Sequence, residues 1–204
     1  MVRTTPAAAT VGAASAPTPR MLSHLAYVTP DAEATVDFYT PVMGMEFVLA
    51  VMDDEVPSTG APIPYFHIFF RLGDGSTLAF FEAPGVPPRP PAPHPAYDTF
   101  DHLALQVDST AEVDAWRDRL TGMGLEVLGP VDHKIIYSVY FRDPVNGLRL
   151  EITTPLVPDW NDRSESARAA LADWSQAKRR ARENGTASAE EALAVISARR
   201  HRDG

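Results

Sequence analysis

Apolar and polar side chains alternate at several places along the chain, and this period of two predicts short β-strands. In the first such segment, Leu25 and Tyr27 point to one side, and His24, Ala26 and Val28 point to the other. Further segments with strand character follow at 46–52, 65–72, 77–82, 101–107, 125–128, 136–142 and 147–153. Turn-forming residues separate them, such as the Gly-Asp-Gly sequence at 73–75, which is typical of a hairpin.

Two segments with helical character interrupt this series of strands. The first begins after Asp31, a suitable N-cap, and continues through Phe38 and Tyr39. The second occupies about 110–122, with Ser109 or Thr110 as its cap. The predicted order is therefore βαβββ, and it occurs twice.

The same block of sequence opens and closes each of the two halves. Ser-His-Leu-Ala begins the first at Ser23, and Asp-His-Leu-Ala begins the second at Asp101. The last strand of each half contains a glutamate, Glu82 in the first and Glu151 in the second. We therefore predict an α+β fold in which two tandem βαβββ modules form a curved mixed sheet around a cavity, followed by a helical tail.

The composition between these segments suggests where the modules begin and end. The segment from Ala83 to Pro95 is too rich in proline for a helix or an inner strand, so we interpret it as an extended linker. Asp162 caps a predicted helix at 163–183 that ends near Gly185, and Ser188 with Glu191 forms a capping box for a last helix. The predicted divisions are a flexible lead (1–20), a first module (21–83), a linker (84–98), a second module (99–155) and a helical extension (156–204).

The charge and composition exclude several classes of function. The formal net charge is −9 and no basic stripe offsets it, so nucleic acid is not an expected partner. There is no cysteine, which excludes a disulfide framework, a thiolate metal site and a thiol nucleophile. No apolar run has the length of a transmembrane helix, and the lead lacks the apolar core of a signal peptide. We therefore expect a cytoplasmic enzyme that acts on a small molecule, without a membrane partner.

Strand alternation also predicts where the candidate metal ligands lie. His102 alternates with Leu103 and Leu105, and Glu151 lies between Leu150 and Ile152, so both face away from the apolar side. Buried polar groups on such a face need partners, and a divalent metal is one. Each residue alone is more commonly structural, but four in register favour a site. We expect one concave surface to carry His24, Glu82, His102 and Glu151, among the aromatic side chains of Phe69, Phe80 and Tyr140.

Two such modules, each opening with His-Leu-Ala and closing on a strand with glutamate, resemble the vicinal oxygen chelate superfamily. This superfamily includes glyoxalase I, extradiol dioxygenases, methylmalonyl-CoA epimerase and bleomycin-resistance proteins. The resemblance covers residues 21–155, and the segment from Asp132 to Pro144 is most similar to that of the extradiol members. It implies that His24, His102 and Glu151 bind a divalent metal, with Fe(II) favoured and Zn, Ni or Mn as alternatives.

The resemblance also implies roles for residues around the metal. Tyr140 occupies the place of a tyrosine that stands beside the metal, and His133 lies in a loop where extradiol enzymes often carry a histidine. The strand position of the usual acid–base histidine has none here, so His67 is a second candidate, although it is equally consistent with a structural role. Glu82 stands where glyoxalase I places a fourth ligand. Three residues are assigned to the substrate pocket: Phe69, Phe80 and Ser138.

Three functions follow from this interpretation. The first is an Fe(II) extradiol-type dioxygenase that cleaves a catechol-like ring, with His133 or His67 as acid and base. The second is an isomerase or lyase of the glyoxalase kind, in which Zn or Ni has four ligands and Glu82 or Glu151 moves a proton. The third is a non-catalytic module that binds a drug-like molecule. Family habit implies a homodimer.

Overall fold

The computed structural model describes residues 17–183, together with residues 191 and 194. Eight strands and four helices are present in this part of the chain. The strands are β1 (His24–Val28), β2 (Glu46–Asp53), β3 (Tyr65–Arg71), β4 (Thr77–Glu82), β5 (Leu103–Gln106), β6 (Leu128–Asp132), β7 (Ile136–Arg142) and β8 (Arg149–Pro155). The helices are α1 (Ala32–Tyr39), α2 (Pro95–Phe100), α3 (Thr110–Gly122) and α4 (Ser164–Glu183).

The strands form two four-stranded sheets with the same topology. The first has the order β1–β4–β3–β2, and the second has the order β5–β8–β7–β6. In the first sheet β1 pairs in parallel with β4, whereas the pairs β2–β3 and β3–β4 are antiparallel. A helix connects the first two strands of each set. The predicted α+β fold of two βαβββ modules with a helical tail is therefore confirmed.

Two elements differ from the prediction. Strand β6 occupies Leu128–Asp132 rather than 125–128, because its pairing with β7 continues past Gly129-Pro130 through a register shift between Leu128 and Val131. Proline is tolerated there because β6 is an edge strand. The predicted linker ends in helix α2, where proline at the first position suits a helix N-terminus and the His94 ring accepts a hydrogen bond from Ala96 N–H at 3.1 Å.

The predicted tail helix is present as α4 and begins one residue later than expected. Its predicted end at Gly185, the Ser188 cap of the last helix and residues 1–16 lie outside the described residues. Within the described part of the chain, no helix is long and apolar enough to cross a membrane.

The chain divides into two compact units. Among the described residues, the first unit comprises 17–103, 123–126 and 141–150, and the second comprises 104–122, 127–140 and the described residues from 151 onward. The core of the first lies between α1 and the first sheet, where the Tyr39 ring packs 4.9 Å from Phe80 and 5.3 Å from Phe70. In the second unit, the fully buried core residues include Val113, Leu120 and Val139. The predicted boundaries of modules and linker stay predictions.

Candidate active site

The first sheet has one face covered by α1 and an opposite face that we call its open face. His67 and Phe69 of β3 lie on the open face, together with Phe81 of β4 and His24 of β1. The His67 ring stacks on Phe81 with 3.5 Å between ring centroids and lies 4.0 Å from Phe69. The His24 ring lies 6.5 Å from His67 and 6.0 Å from Phe69. The structure therefore brings together two histidines on an aromatic surface.

His67 has properties that suit contact with a bound molecule. Its Nε2 atom is buried and has no hydrogen-bond partner. Burial, and secondarily the charge of His24, lower the pKa of His67 below its ordinary value. The neutral ring therefore predominates at pH 7, and its Nε2 carries unused hydrogen-bonding capacity inside an aromatic cluster.

Phe80 does not lie on this open face, and its assignment to the substrate pocket is wrong. Its side chain is fully buried against Tyr39 of α1. Glu82 lies two residues after Phe80 on β4 and so points to the same face of the sheet. Its Oε2 accepts a hydrogen bond of 2.6 Å from the N–H of Ala32, the first residue of α1. A carboxylate at this position stabilises the positive end of the helix dipole. The prediction that Glu82 shares the concave surface is therefore also wrong.

The two glutamates are not equivalent in the repeat, and corresponding hydrogen bonds show why. Thr29, five residues after His24, donates its N–H to the Phe81 carbonyl at 2.9 Å, and Val107, five residues after His102, donates to the Thr153 carbonyl at 2.9 Å. Phe81 therefore corresponds to Thr153. Two residues earlier on each strand, Glu151 corresponds to Ala79. Glu82 lies three residues after Ala79, and an odd number of residues along a strand places a side chain on the opposite face of the sheet. The first module therefore has no glutamate that corresponds to Glu151.

A second group of polar side chains lies in the second unit. The Ser138 hydroxyl hydrogen-bonds to the Thr153 hydroxyl at 2.8 Å, which places Tyr140 directly across from Glu151 on the same face of β7 and β8. Tyr140 Oη lies 2.9 Å from Nε2 of His133 and hydrogen-bonds to it. Glu151 is only 2% exposed. The imidazole of His133 therefore contacts the phenol of Tyr140, which lies across from the buried carboxylate of Glu151.

Ser138 lies on the same face as Tyr140 but is fully buried. Its hydroxyl is already engaged with Thr153, so its assignment to the substrate pocket stays a prediction. The preceding residue on β7, Tyr137, points to the opposite face of the sheet and hydrogen-bonds to Asp114 of α3 at 3.1 Å. This alternation confirms that Tyr140 faces away from the helix.

His102 lies just before β5, in the first unit. Its Nδ1 is 2.8 Å from the Phe100 carbonyl, so Nδ1 carries a proton, and in the neutral ring Nε2 carries the lone pair. This tautomer is typical of metal-binding histidines, which donate their second nitrogen to a backbone carbonyl. His102 also lines a cleft of the first unit that contains Tyr27 of β1.

The donor chemistry of His24, His102 and Glu151 suits a divalent metal. Two imidazoles and one carboxylate, without thiolate, are ligands for Fe(II), Mn or Zn. Among the described residues, however, no three histidine, aspartate or glutamate side chains lie close enough together to hold an ion. The residues that the structure does bring together are His24 with His67, and His133 with Tyr140.

Sequence reasoning missed a group of arginines. Arg142 and Arg149, at the ends of β7 and β8, line the same cleft as His102, together with Arg89 from the proline-rich segment. The one available signal was a single arginine in a segment made mostly of proline.

Comparison with known proteins places this fold in a family. The sequence model of the Glyoxalase/Bleomycin resistance protein/Dioxygenase superfamily matches residues 21–152. The chain belongs to this superfamily. The predicted resemblance is thereby confirmed for the two modules, and the tail lies beyond the match.

Individual relatives are distant. The chain is 27% identical over 101 residues to the putative ring-cleaving dioxygenase MhqA of Bacillus subtilis (strain 168). That match covers 48% of this chain and 29% of MhqA, so it spans under a third of the relative.

One solved structure of the superfamily shares the fold, and a second is similar with a lower TM-score. A glyoxylase/bleomycin resistance protein/dioxygenase domain from Frankia sp. EAN1pec matches with a TM-score of 0.55 at 18% identity, over 68% of this chain and 99% of the other. A lactoylglutathione lyase from Agrobacterium tumefaciens matches with a TM-score of 0.47 at 27% identity, over 68% of this chain and 96% of the other.

Proposed function

We propose that the protein is a metal-dependent enzyme of the extradiol ring-cleaving type that acts on a catechol-like aromatic molecule. The observation that carries this proposal is the hydrogen bond between His133 and Tyr140, with Tyr140 across from the buried Glu151. A phenol and an imidazole in contact are suited to moving a proton to or from a hydroxyl group. The similarity of the chain to part of the putative dioxygenase MhqA supports the same function.

His24, His102 and Glu151 are the residues that would hold the metal. The Phe100 carbonyl sets the tautomer of His102, and Glu151 is buried, where a bound cation would stabilise its carboxylate. Two histidines and one carboxylate are a donor set that suits Fe(II), which when bound would supply the chemistry that joins a vicinal diol and dioxygen.

The chain's own residues would handle the substrate proton. With Nε2 of His133 as the acceptor, the Tyr140 hydroxyl donates this hydrogen bond, and a hydroxyl oxygen can also accept one, here from a substrate hydroxyl. When that hydroxyl ionises, its proton passes to Tyr140 and the tyrosine proton passes to His133. His133 is exposed and exchanges the proton with water, so the relay is reset after each turnover.

The open face of the first sheet would supply the apolar surface for an aromatic ring. Phe69 and Phe81 flank the ring of His67, and this cluster excludes water from the His67 Nε2 atom. A neutral imidazole in that position can accept a proton from a second hydroxyl, which keeps His67 as the other acid–base candidate.

The glyoxalase-type alternative loses its structural support. It required Glu82 as a fourth ligand, and Glu82 instead binds the first residue of α1 from the other face of the sheet. The homodimer is part of our proposal, and the mass of the protein in solution tests it.

Metal analysis followed by oxygen uptake tests the proposed function. Protein purified without chelator should contain a divalent metal, and anaerobic loading with Fe(II) should produce oxygen consumption with members of a catechol panel. Glu151→Gln should abolish metal retention, whereas Glu126→Gln, an exposed glutamate with the same change, should not. If no catechol in the panel produced oxygen consumption after Fe(II) loading, the result would contradict the proposed dioxygenase function. Tight binding of an aromatic molecule without metal would instead indicate the non-catalytic module.

A further inference from the structure

The cleft of the first unit that Tyr27 and His102 line lies on the opposite side of β1 from His24. It has a volume of about 860 Å³, which is in the range of small-molecule sites. Its lining includes Tyr27, which contacts Phe80 on the α1 side of the first sheet. Since neighbouring strand residues point to opposite faces, Tyr27 and His24 serve different surfaces. The cleft is therefore separate from the open face that carries His67.

The walls of this cleft are held in place before any ligand binds. One wall is the segment 89–93, which contains three prolines, and proline fixes its own backbone angle. Another is α2, whose C-terminal carbonyls are bound by arginines: Arg142 donates to the Asp98 carbonyl at 3.1 Å, and Arg149 donates to the Thr99 carbonyl. Cationic side chains at a helix C-terminus are stabilising. A preorganised cleft loses less conformational entropy on binding.

The cleft has an excess of positive charge in a chain whose net charge is −9. Three arginines line it against two aspartates, and one of these, Asp98, pairs with Arg142 at 3.7 Å. In the part of the chain that the structure describes, Arg89 takes part in no hydrogen bond or ion pair with a carboxylate. Arg89 and Tyr27 line the same cleft, where burial raises the pKa of Tyr27 and the positive charge of Arg89 opposes that shift. Arg89 can therefore receive an anion.

Two large aromatic side chains at the mouth complete the cleft. Phe100 is 73% exposed and Tyr97 is 54% exposed, although both belong to the short helix α2. Exposed aromatic groups beside a cleft mark a surface that a planar molecule can cover. Their position next to a guanidinium suits a ligand with a flat apolar body and an anionic group.

We propose that this cleft binds a small aromatic carboxylate, with the carboxylate on Arg89 and the ring against Tyr97 and Phe100. A guanidinium presents two parallel N–H donors that match the two oxygens of a carboxylate. His102 lines this cleft and also belongs to the proposed metal centre, but the proposal rests on Arg89, Tyr97 and Phe100 and requires no bound metal.

Calorimetric titration of the full chain, stripped of metal with EDTA, tests the proposal. The probes are benzoate, its neutral analogue benzamide, and inorganic phosphate. Benzoate should bind at least several-fold more tightly than either of the others, because only benzoate has both the ring and the carboxylate. Equal affinity for benzoate and benzamide would overturn the role of Arg89, and equal affinity for benzoate and phosphate would overturn the role of the aromatic groups.

Variants assign the binding to this cleft. Arg89→Gln should weaken benzoate binding by about tenfold and leave benzamide unchanged, consistent with loss of a charge-assisted hydrogen bond. Arg168→Gln, the same change on exposed helix α4, is the matched control and should have no effect. Tyr97→Leu should weaken benzoate and benzamide alike. Glu151→Gln should leave benzoate binding intact; loss of binding there, with Arg89→Gln unaffected, would overturn the proposal.

Discussion

The Tyr39 hydroxyl donates a hydrogen bond of 2.9 Å to Oδ2 of Asp143, a residue 104 positions later in the chain. Tyr39 is fully buried and Asp143 is 1% exposed. The other carboxylate oxygen of Asp143 accepts the backbone N–H groups of Val145 and Asn146 at 2.7 and 3.0 Å. The tight turn between β7 and β8 is thereby fixed to the end of α1 inside the first unit, through a carboxylate that has donors on both oxygens.

Removing the Tyr39 hydroxyl should destabilise the protein. In Tyr39→Phe, Asp143 Oδ2 keeps only the donor from the Asn146 side chain at 2.7 Å, and a buried charge loses part of its compensation. We expect the free energy of unfolding to fall by about 1–3 kcal/mol. Tyr65→Phe, on the open face, should change it by less than about 0.5 kcal/mol. Urea unfolding measures both, and equal effects would contradict the proposed importance of this bond.

The same bond predicts a loss of stability at alkaline pH. Burial, then the negative charge of Asp143, raises the pKa of Tyr39 far above its ordinary value of 10.0. The folded state therefore retains a proton that the unfolded state releases above pH 10, so the stabilisation is complete below that pH and declines as pH rises beyond it. Unfolding free energies between pH 8 and 11 should fall less steeply for Tyr39→Phe than for the wild type. Parallel slopes would show that Tyr39 does not contribute.

Glu82 is expected to matter for stability and not for metal binding. Its carboxylate accepts the N–H of Ala32, so Glu82→Gln should cost about 0.5–2 kcal/mol of stability by weakening a charged cap at the helix N-terminus. Glu33→Gln removes a charge from the first turn of the same helix without a comparable bond and should cost less. Metal content per chain should be unchanged in Glu82→Gln. Loss of metal in that variant would restore the four-ligand alternative.

The error at Glu82 shows what strand alternation can and cannot establish. Alternation correctly separated His24 and Glu151 from the apolar faces of their strands. It could not tell which glutamate positions correspond between modules, because Glu151 comes four residues after Gly147 whereas Glu82 comes seven after Gly75. That odd difference reverses the face of the strand. Counting from the turn, rather than from the final glutamate, would have matched Glu151 with Ala79.

Other features depend on contacts between distant segments and were not predictable from local patterns. Helix α2 follows a segment full of proline, and its cap is His94, which is not among the preferred capping residues. The basic cleft combines Arg89 with Arg142, which is more than fifty residues later. No periodicity in the sequence reports such a pairing.

Gly129 is expected to tolerate no side chain. Its φ of +109° is in the region that favours glycine, and an added Cβ would lie 2.9 Å from the carbonyl oxygen of Ser138. That oxygen belongs to the backbone of the adjacent strand β7 and has little room to move. Gly129→Ala should therefore destabilise the protein by about 1–3 kcal/mol. Gly73→Ala, where no atom lies within 4 Å and φ is ordinary, is the control for thermal unfolding and should be nearly neutral.

The final prediction concerns the proton relay, and it rests on the proposed function. Tyr140→Phe removes the hydroxyl that joins His133 to the face of Glu151, so kcat with an active catechol should fall by about 100-fold. Tyr137→Phe removes a hydroxyl from the tyrosine three residues earlier, which instead contacts Asp114 on the helix side, and it should leave kcat within about twofold.

Combining variants distinguishes a relay from two independent contributions. If the proton passes from Tyr140 to His133, then Tyr140→Phe and His133→Gln together should lower kcat no further than the larger single effect, because either change already interrupts the path. Metal content measured in each variant separates a lost relay from a lost metal. Additive losses in the double variant, at unchanged metal content, would mean that the two residues act separately and that the hydrogen bond between them is structural.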